Sequence, residues 1–141
     1  MRVEGVQALL RRLKEFGEDG EHRIDQVTHT IAQKIVEDAK SKVPVNFGTL
    51  KNTIHWVRDE DGTYWVKANA FYAAYVEFGT GTFVEVASEW KDIAWSYYVN
   101  GKGFMHPSPY LYPAFVAGRE VYETQLKGAI NNLVSRFNNE N

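Results

Sequence analysis

The sequence predicts an α+β fold: a small antiparallel sheet packed against a long helix, with N- and C-terminal helices and an inserted short helix. Three observations lead there. Apolar residues recur at three- and four-residue steps over residues 3–16 and again from about Glu21 to Val43, which is the helical period. Two short alternating runs flank the turn Asp59-Glu60-Asp61-Gly62, as in a β-hairpin. A second helical period begins after Pro113 and continues to Phe137.

In chain order, Val3, Val6, Leu9, Leu10 and Leu13 mark a first amphipathic helix over residues 3–16, punctuated by Gly17 and Gly20. Arg11, Arg12 and Lys14 lie on or beside its polar face and read as a solvated face rather than a nucleic-acid patch. A second helix is expected from about Glu21 to Lys42, where Ile24, Val27, Ile31, Ile35, Asp38 or Ala39 and then Val43 follow the helical period. Lys40 and Lys42 complement its dipole, and Pro44 ends it, because the residue before proline avoids helical geometry. His22 and His29 share a face seven residues apart without the spacing of a metal site, and read as solvent-facing. Asn46 to Thr49 is a tight turn, with Thr49 capping a short helical turn through Leu50 and Lys51. The hairpin arms fall near 52–58 and 63–69. A lone hairpin is marginal in water, so it must pack on the long helix or gain strands.

The stretch Asn69–Phe83 reads as the hub of the core. Helical spacing places Phe71, Tyr75 and Phe78 on one side with Tyr72 and Val76 beside them, and Gly79 and Gly81 suit the positive φ that ends a helix. Glu77 is out of place in a last turn, where the helix dipole disfavours a carboxylate. A basic partner, a turn N–H or plain solvation would each account for it. Beyond the hub, Thr82–Val86 suggests a short strand. Ser88 is a candidate N-cap for a helix from Glu89 to Val99 with Trp90, Ile93, Ala94, Tyr97 and Tyr98 on one face. Pro107 and Pro109 keep Phe104–Tyr112 extended, and Pro113 fits the first turn of the last helix. That helix should bury Val121 or Tyr122, Leu126, Ala129 or Ile130, Leu133 and Phe137.

Composition narrows the function. The 141 residues suffice for one domain, and 44% apolar and 24% charged residues are ordinary for a soluble globular protein. A formal net charge of −2 gives no global pull toward nucleic acid or acidic membranes. The chain has no cysteine, which excludes disulfides and thiolate metal sites and fits assembly in a reducing cytoplasm. The N-terminal stretch has no uncharged apolar run long enough for a signal peptide or a membrane span. No serine sits in a nucleophile elbow, Gly79-Thr80-Gly81 lacks the spacing of a phosphate loop, and Asp59-Glu60-Asp61 reads as a solvated turn. No catalytic residue, cofactor or metal ligand is therefore assigned. His106, in an aromatic-rich segment, reads as a packed or solvated ring.

Three segments, in order, resemble a family of small proteins of long-tailed bacteriophages: the minor tail-component or head–tail joining (neck, tail-completion) family of the HK type. The first runs from Val43-Pro44 through Gly48 and Leu50 to Ile54. The second contains Tyr72, Tyr75, Glu77, Phe78, Gly79 and Thr80. The third contains Pro109, Leu111 and Pro113. Tyr112 stands where the family usually has arginine, so a basic partner for Glu77 would be Lys51 or Arg119. The link from Gly81 to Pro109 is longer than is usual, which makes about 84–104 an insertion in a single domain spanning 1–141, with about 1–20 as its N-terminal helix.

The resemblance implies a non-enzymatic virion protein at the neck or tail, assembled in the host cytoplasm. It implies a ring homo-oligomer, hexameric when assembled and able to exist as a monomer in isolation, that contacts neighbouring neck and tail proteins. DNA would pass through the lumen without sequence-specific binding, and the acids of Asp59–Asp61 or Glu85–Glu89 are expected to face it. Large apolar groups at Trp90, Ile93, Trp95, Tyr97 and Tyr98 suggest a partner or intersubunit contact, or else cover the domain's own core. Other readings at this level are a tail terminator or other minor tail protein, a nucleic-acid-binding module using the basic first helix, and a small-ligand pocket lined by His106, Glu77 and tyrosines.

Overall fold

The computed structural model describes residues 6–80 and 106–139. Its elements are α1 (Val6–Lys42), α2 (Gly48–Thr53), β1 (Ile54–Arg58), β2 (Tyr64–Ala68), α3 (Ala73–Phe78) and α4 (Leu111–Asn139), with a 3-10 turn at Val45–Phe47. This is the α+β arrangement expected: mostly helix, with one two-stranded antiparallel sheet. The chain divides into two compact units, Met1–Ile31 with Arg119–Asn141, and Ala32–Gly118. The expected strand at 82–86 and helix at 89–99 lie outside the described residues.

The two N-terminal helices expected from the glycines are one helix of 37 residues. Gly17 and Gly20 lie inside it. A mid-helix glycine weakens a helix by roughly 0.5–1 kcal/mol relative to alanine, which the flanking turns can absorb. At Gly20 a side chain would meet Leu133 Cδ1 at 3.9 Å, so this glycine sits where another helix lies close. In this first unit α1 and α4 run antiparallel, since residues pair in opposite order. The Phe16 and Phe137 rings lie 4.9 Å apart, and the Thr28 hydroxyl meets the Tyr122 hydroxyl at 3.0 Å. Arg12 donates to the Phe137 carbonyl at 3.3 Å, in the last turn of α4, where a cation complements the dipole. Val27, Ile31, Ala129 and Leu133 are buried, whereas Ile24, Leu13 and Ile130 are exposed, so the buried stripe is narrower than periodicity suggests.

In the second unit, Ala32, Ile35, Val36, Ala39 and Val43 of α1 and its end bury one face. Pro44 stops α1, and its carbonyl accepts from Phe47 N–H at 2.9 Å to make the turn. α2 then starts at Gly48, so Thr49 lies inside the helix; the N-cap is Phe47, which supplies no side-chain bond. The helix is held by burial of Leu50 instead. Thr53 closes α2, donating to Leu50 O at 2.8 Å and accepting from Asn69 N–H at 3.1 Å, which ties the base of the hairpin to this helix.

The hairpin arms match expectation, in the register Ile54↔Ala68 to Arg58↔Tyr64. Ile54 is buried, and the Trp56 indole donates to Gln33 Oε1 at 2.8 Å, so the sheet packs on α1. The turn is not merely solvated. Gly62 N–H bonds to Asp59 O at 3.1 Å with Gly62 at φ +83°, the left-handed conformation such a hairpin needs. One Asp59 oxygen accepts from the Asp61 and Thr63 N–H groups at 3.0 Å each, and the other from the Trp65 indole at 2.9 Å.

Two tests follow from this geometry. Gly17 sits in a helix with nothing within 4 Å of an added Cβ. Gly17→Ala is expected to raise stability by about 0.5–1 kcal/mol in thermal unfolding followed by circular dichroism; a loss of stability would mean the helix breaks there. The Trp65 bond first, then the Thr63 amide, holds the Asp59 carboxyl below its usual 3.8. Its stabilisation is therefore complete above that value and is lost as pH falls through the lower, folded-state value. The Trp65 indole N–H resonance should stay put down to about pH 4 and move only below it.

Candidate functional site: the Glu77 clasp

The short helix α3 ends at Gly79, which takes φ +77° and donates its N–H to Tyr75 O at 2.8 Å. Two residues earlier stands Glu77, only 4% exposed. Its Oε2 accepts from Tyr110 N–H at 2.9 Å and Leu111 N–H at 2.8 Å, and its Oε1 accepts from Tyr112 N–H at 2.8 Å. These donors open α4. A helix leaves its first four N–H groups without an internal partner. In α4, which begins at Leu111, Glu77 takes those of Tyr110, Leu111 and Tyr112, and Pro113 has none to offer. The N-terminus is thus fully accounted for by one side chain 33 to 35 residues away in sequence.

Further bonds fix the same junction. Ser108 N–H donates to Val76 O at 2.8 Å, and the Tyr110 hydroxyl donates to Ala73 O at 3.1 Å. Tyr110 is among the largest fully buried side chains, and Ala114, one turn on, is buried as well. Burial, and then the Glu77 charge, holds the Tyr110 phenol well above its usual 10.0, so it remains a neutral donor.

A buried carboxylate must replace its lost hydration. Hydrogen bonds to a charged group contribute roughly 1.5–3 kcal/mol each, and a helix N-terminus carries about half a positive charge. The start of a 29-residue helix therefore outweighs the unfavourable end of the six-residue α3. The turn N–H explanation for Glu77 accounts for its burial, and neither Lys51 nor Arg119 is needed to explain it. With both oxygens occupied by backbone donors, Glu77 acts as a structural acceptor.

The structure brings the second and third sequence segments together here. Phe78, Thr80 and Val76 are buried, Tyr72 and Tyr75 are half-buried, and Leu111 and Pro113 are half-buried beside Glu77. Leu50 of the first segment is fully buried in the same unit, while Gly48 and Pro109 are exposed. Phe71 departs from expectation: it is 91% exposed. The helix starts at Ala73, so Phe71 belongs to the preceding turn, where helical spacing does not apply; its ring meets Tyr72 edge-on at 5.1 Å. His106 is exposed. Trp90, Ile93, Trp95, Tyr97 and Tyr98 lie outside the described residues. Sequence reading missed Ser108 and Tyr110. The available signal was Pro113, because a proline in a first turn marks where the donors of a helix start need an acceptor.

Glu77→Ala strips the acceptor from three N–H groups. It is expected to cost about 3–5 kcal/mol in urea unfolding, with Glu77→Gln, which keeps one acceptor oxygen, costing about 2 kcal/mol. A Glu77→Ala protein as stable as the parent would show that the junction does not depend on the carboxylate.

Residues 7–79 match the family described as "Bacteriophage HK97-gp10, putative tail-component". The match takes in the N-terminal part of α1, which the sequence motifs left out, and stops at Gly79, before the Pro109–Ala114 segment. No curated protein and no solved structure matches the chain. The match runs through α1, the hairpin and α3 to the residue that ends the Glu77 helix, and by it the chain belongs to the HK97-gp10-like family of bacteriophage tail components.

Proposed function

We propose that the chain is a structural subunit of the neck of a long-tailed bacteriophage, or completes the tail for head–tail joining. It works by ring assembly rather than catalysis. The observation that carries this reading is the family match across more than half of the chain. The geometry is in keeping with it. The Glu77 junction is built as a support, its polar atoms turned inward on backbone groups. Apolar side chains stand outside instead: Val45 is fully exposed and Phe71 nearly so. Such groups suit contact with other proteins.

A ring needs head-to-tail contacts that close by rotation. In this reading the subunit is one domain, and the stretch about 84–104 is an insertion whose Trp90, Ile93, Trp95, Tyr97 and Tyr98 meet a neighbouring subunit or tail protein. DNA passes through the lumen, and a net charge of −2 suits passage without holding on to phosphates. Tail terminator is the nearest other role, since it also closes a tail end by ring contacts.

A nonsense mutation in the gene of a phage that carries it should yield filled heads and tails that remain unjoined in electron micrographs. Purified protein added to the extract should restore infectivity. Complete infectious particles without the protein would overturn the neck assignment. Tails of uncontrolled length would favour the terminator role.

A further inference from the structure

The hairpin has two unlike faces. On the inner one Ile54 is buried and Trp56 bonds α1. On the outer one Val57 and Trp65 stand directly opposite each other across the strands, and they are 39% and 52% exposed. Trp65 is held in place by its indole bond to Asp59, so little side-chain freedom remains to be lost on contact. Alternation puts His55 and Lys67, themselves a cross-strand pair, next on this face toward the base of the hairpin. Asp59 stands next toward the tip, followed by Glu60 and Asp61. The outer face is therefore a strip: acids at the tip, an apolar pair in the middle, a lysine and a histidine at the base. The two charged ends are each two residues, or about 7 Å, from the apolar pair.

A strip of this kind is complementary to itself when turned end for end. We infer that the outer face of the β1–β2 hairpin is a contact surface for a second copy of this chain. The two copies meet around a two-fold axis that stacks Val57 and Trp65 of one on those of the other and sets each acidic tip against the partner's Lys67. The charge order selects this occupant, since it repels a copy in parallel register and attracts one in antiparallel register. Such a contact is isologous and cannot by itself close a ring. It joins subunits, or rings, face to face, and it stands whether or not the subunit closes a ring. The strip is short, so the contact belongs to the weak class and deepens with concentration.

The full chain is tested by sedimentation equilibrium at rising concentration and low salt. A dimer weakened by salt is expected. Lys67→Glu, and separately the pair Glu60→Lys with Asp61→Lys, should each weaken it at least about tenfold. Mixing these two oppositely altered proteins should restore it, because altered tips then face altered bases. These positions are exposed, so circular dichroism should show the parent fold in each variant. The chain has no cysteine, which permits a second readout. Val57→Cys should cross-link into disulfide dimers on mild oxidation, and Val45→Cys, more exposed but off this face, should not. A parent chain that stays monomeric at every concentration, association untouched by the charge reversals, a mixture that fails to restore it, or equal cross-linking at both cysteines would each overturn the inference. None of these results depends on head–tail joining, which the nonsense phenotype tests separately.

Discussion

A carboxylate taken out of water has to replace the hydration it gives up, and Glu77 does so with backbone N–H groups. The arrangement serves two needs together. The buried charge needs donors, and the first turn of α4 needs acceptors. Neither can be met locally: α3 is six residues long and ends in a glycine, and α4 opens on residues with no capping oxygen in the ordinary position. Each element supplies what the other lacks, so packing α3 against the start of α4 is specified by chemistry as well as by shape. The apolar contacts of Val76, Phe78, Tyr110 and Ala114 add burial energy, but they would tolerate a shift of register. Three directed bonds to one carboxylate would not.

This junction also explains how a long connection can be carried between α3 and α4. The chain leaves α3 at Gly79, and the returning segment is fixed to the same helix by Ser108 on Val76 and by residues 110–112 on Glu77. Both ends of the connection are therefore held by the fold itself. Once the ends are held, each doubling of the intervening length costs only about 0.6 kcal/mol in closure entropy. Sequence added between them costs the core little, which is in keeping with the proposal that about 84–104 is an insertion.

How much of this was legible from the residues varies with the kind of signal. Apolar periodicity identified α1, α4 and their buried positions Val27, Ile31, Ala129 and Leu133, because burial on a helix repeats. The turn acids and Gly62 located the hairpin to within two residues, because few sequences satisfy that turn. Punctuation misled where it was read too strictly. Gly17 and Gly20 suggested a break, yet a glycine only lowers helix stability and does not by itself end a helix. Glu77 was recognisably misplaced. Its partners were not readable, because backbone N–H groups are present in every residue and leave no mark in sequence. Asp59 was underrated for a related reason: two of its three donors are backbone, and the third, Trp65, lies on the other arm of the turn.

The same division between directed and undirected interactions separates the interior of the second unit from its exposed apolar groups. Inside the second unit the charged and polar groups Glu77 and Thr80 are buried with apolar neighbours, and uniqueness comes from hydrogen bonds. Outside, Val45, Val57, Trp65 and Phe71 put apolar area into solvent at a corner and on a sheet face. Apolar area is non-directional, so alone it would bind indiscriminately. On the hairpin it is bracketed by opposite charges at equal distances, and the Asp59 bond holds Trp65 in place between them. Charge then sets orientation while the indole supplies area, the division of labour that the proposed contact between copies requires.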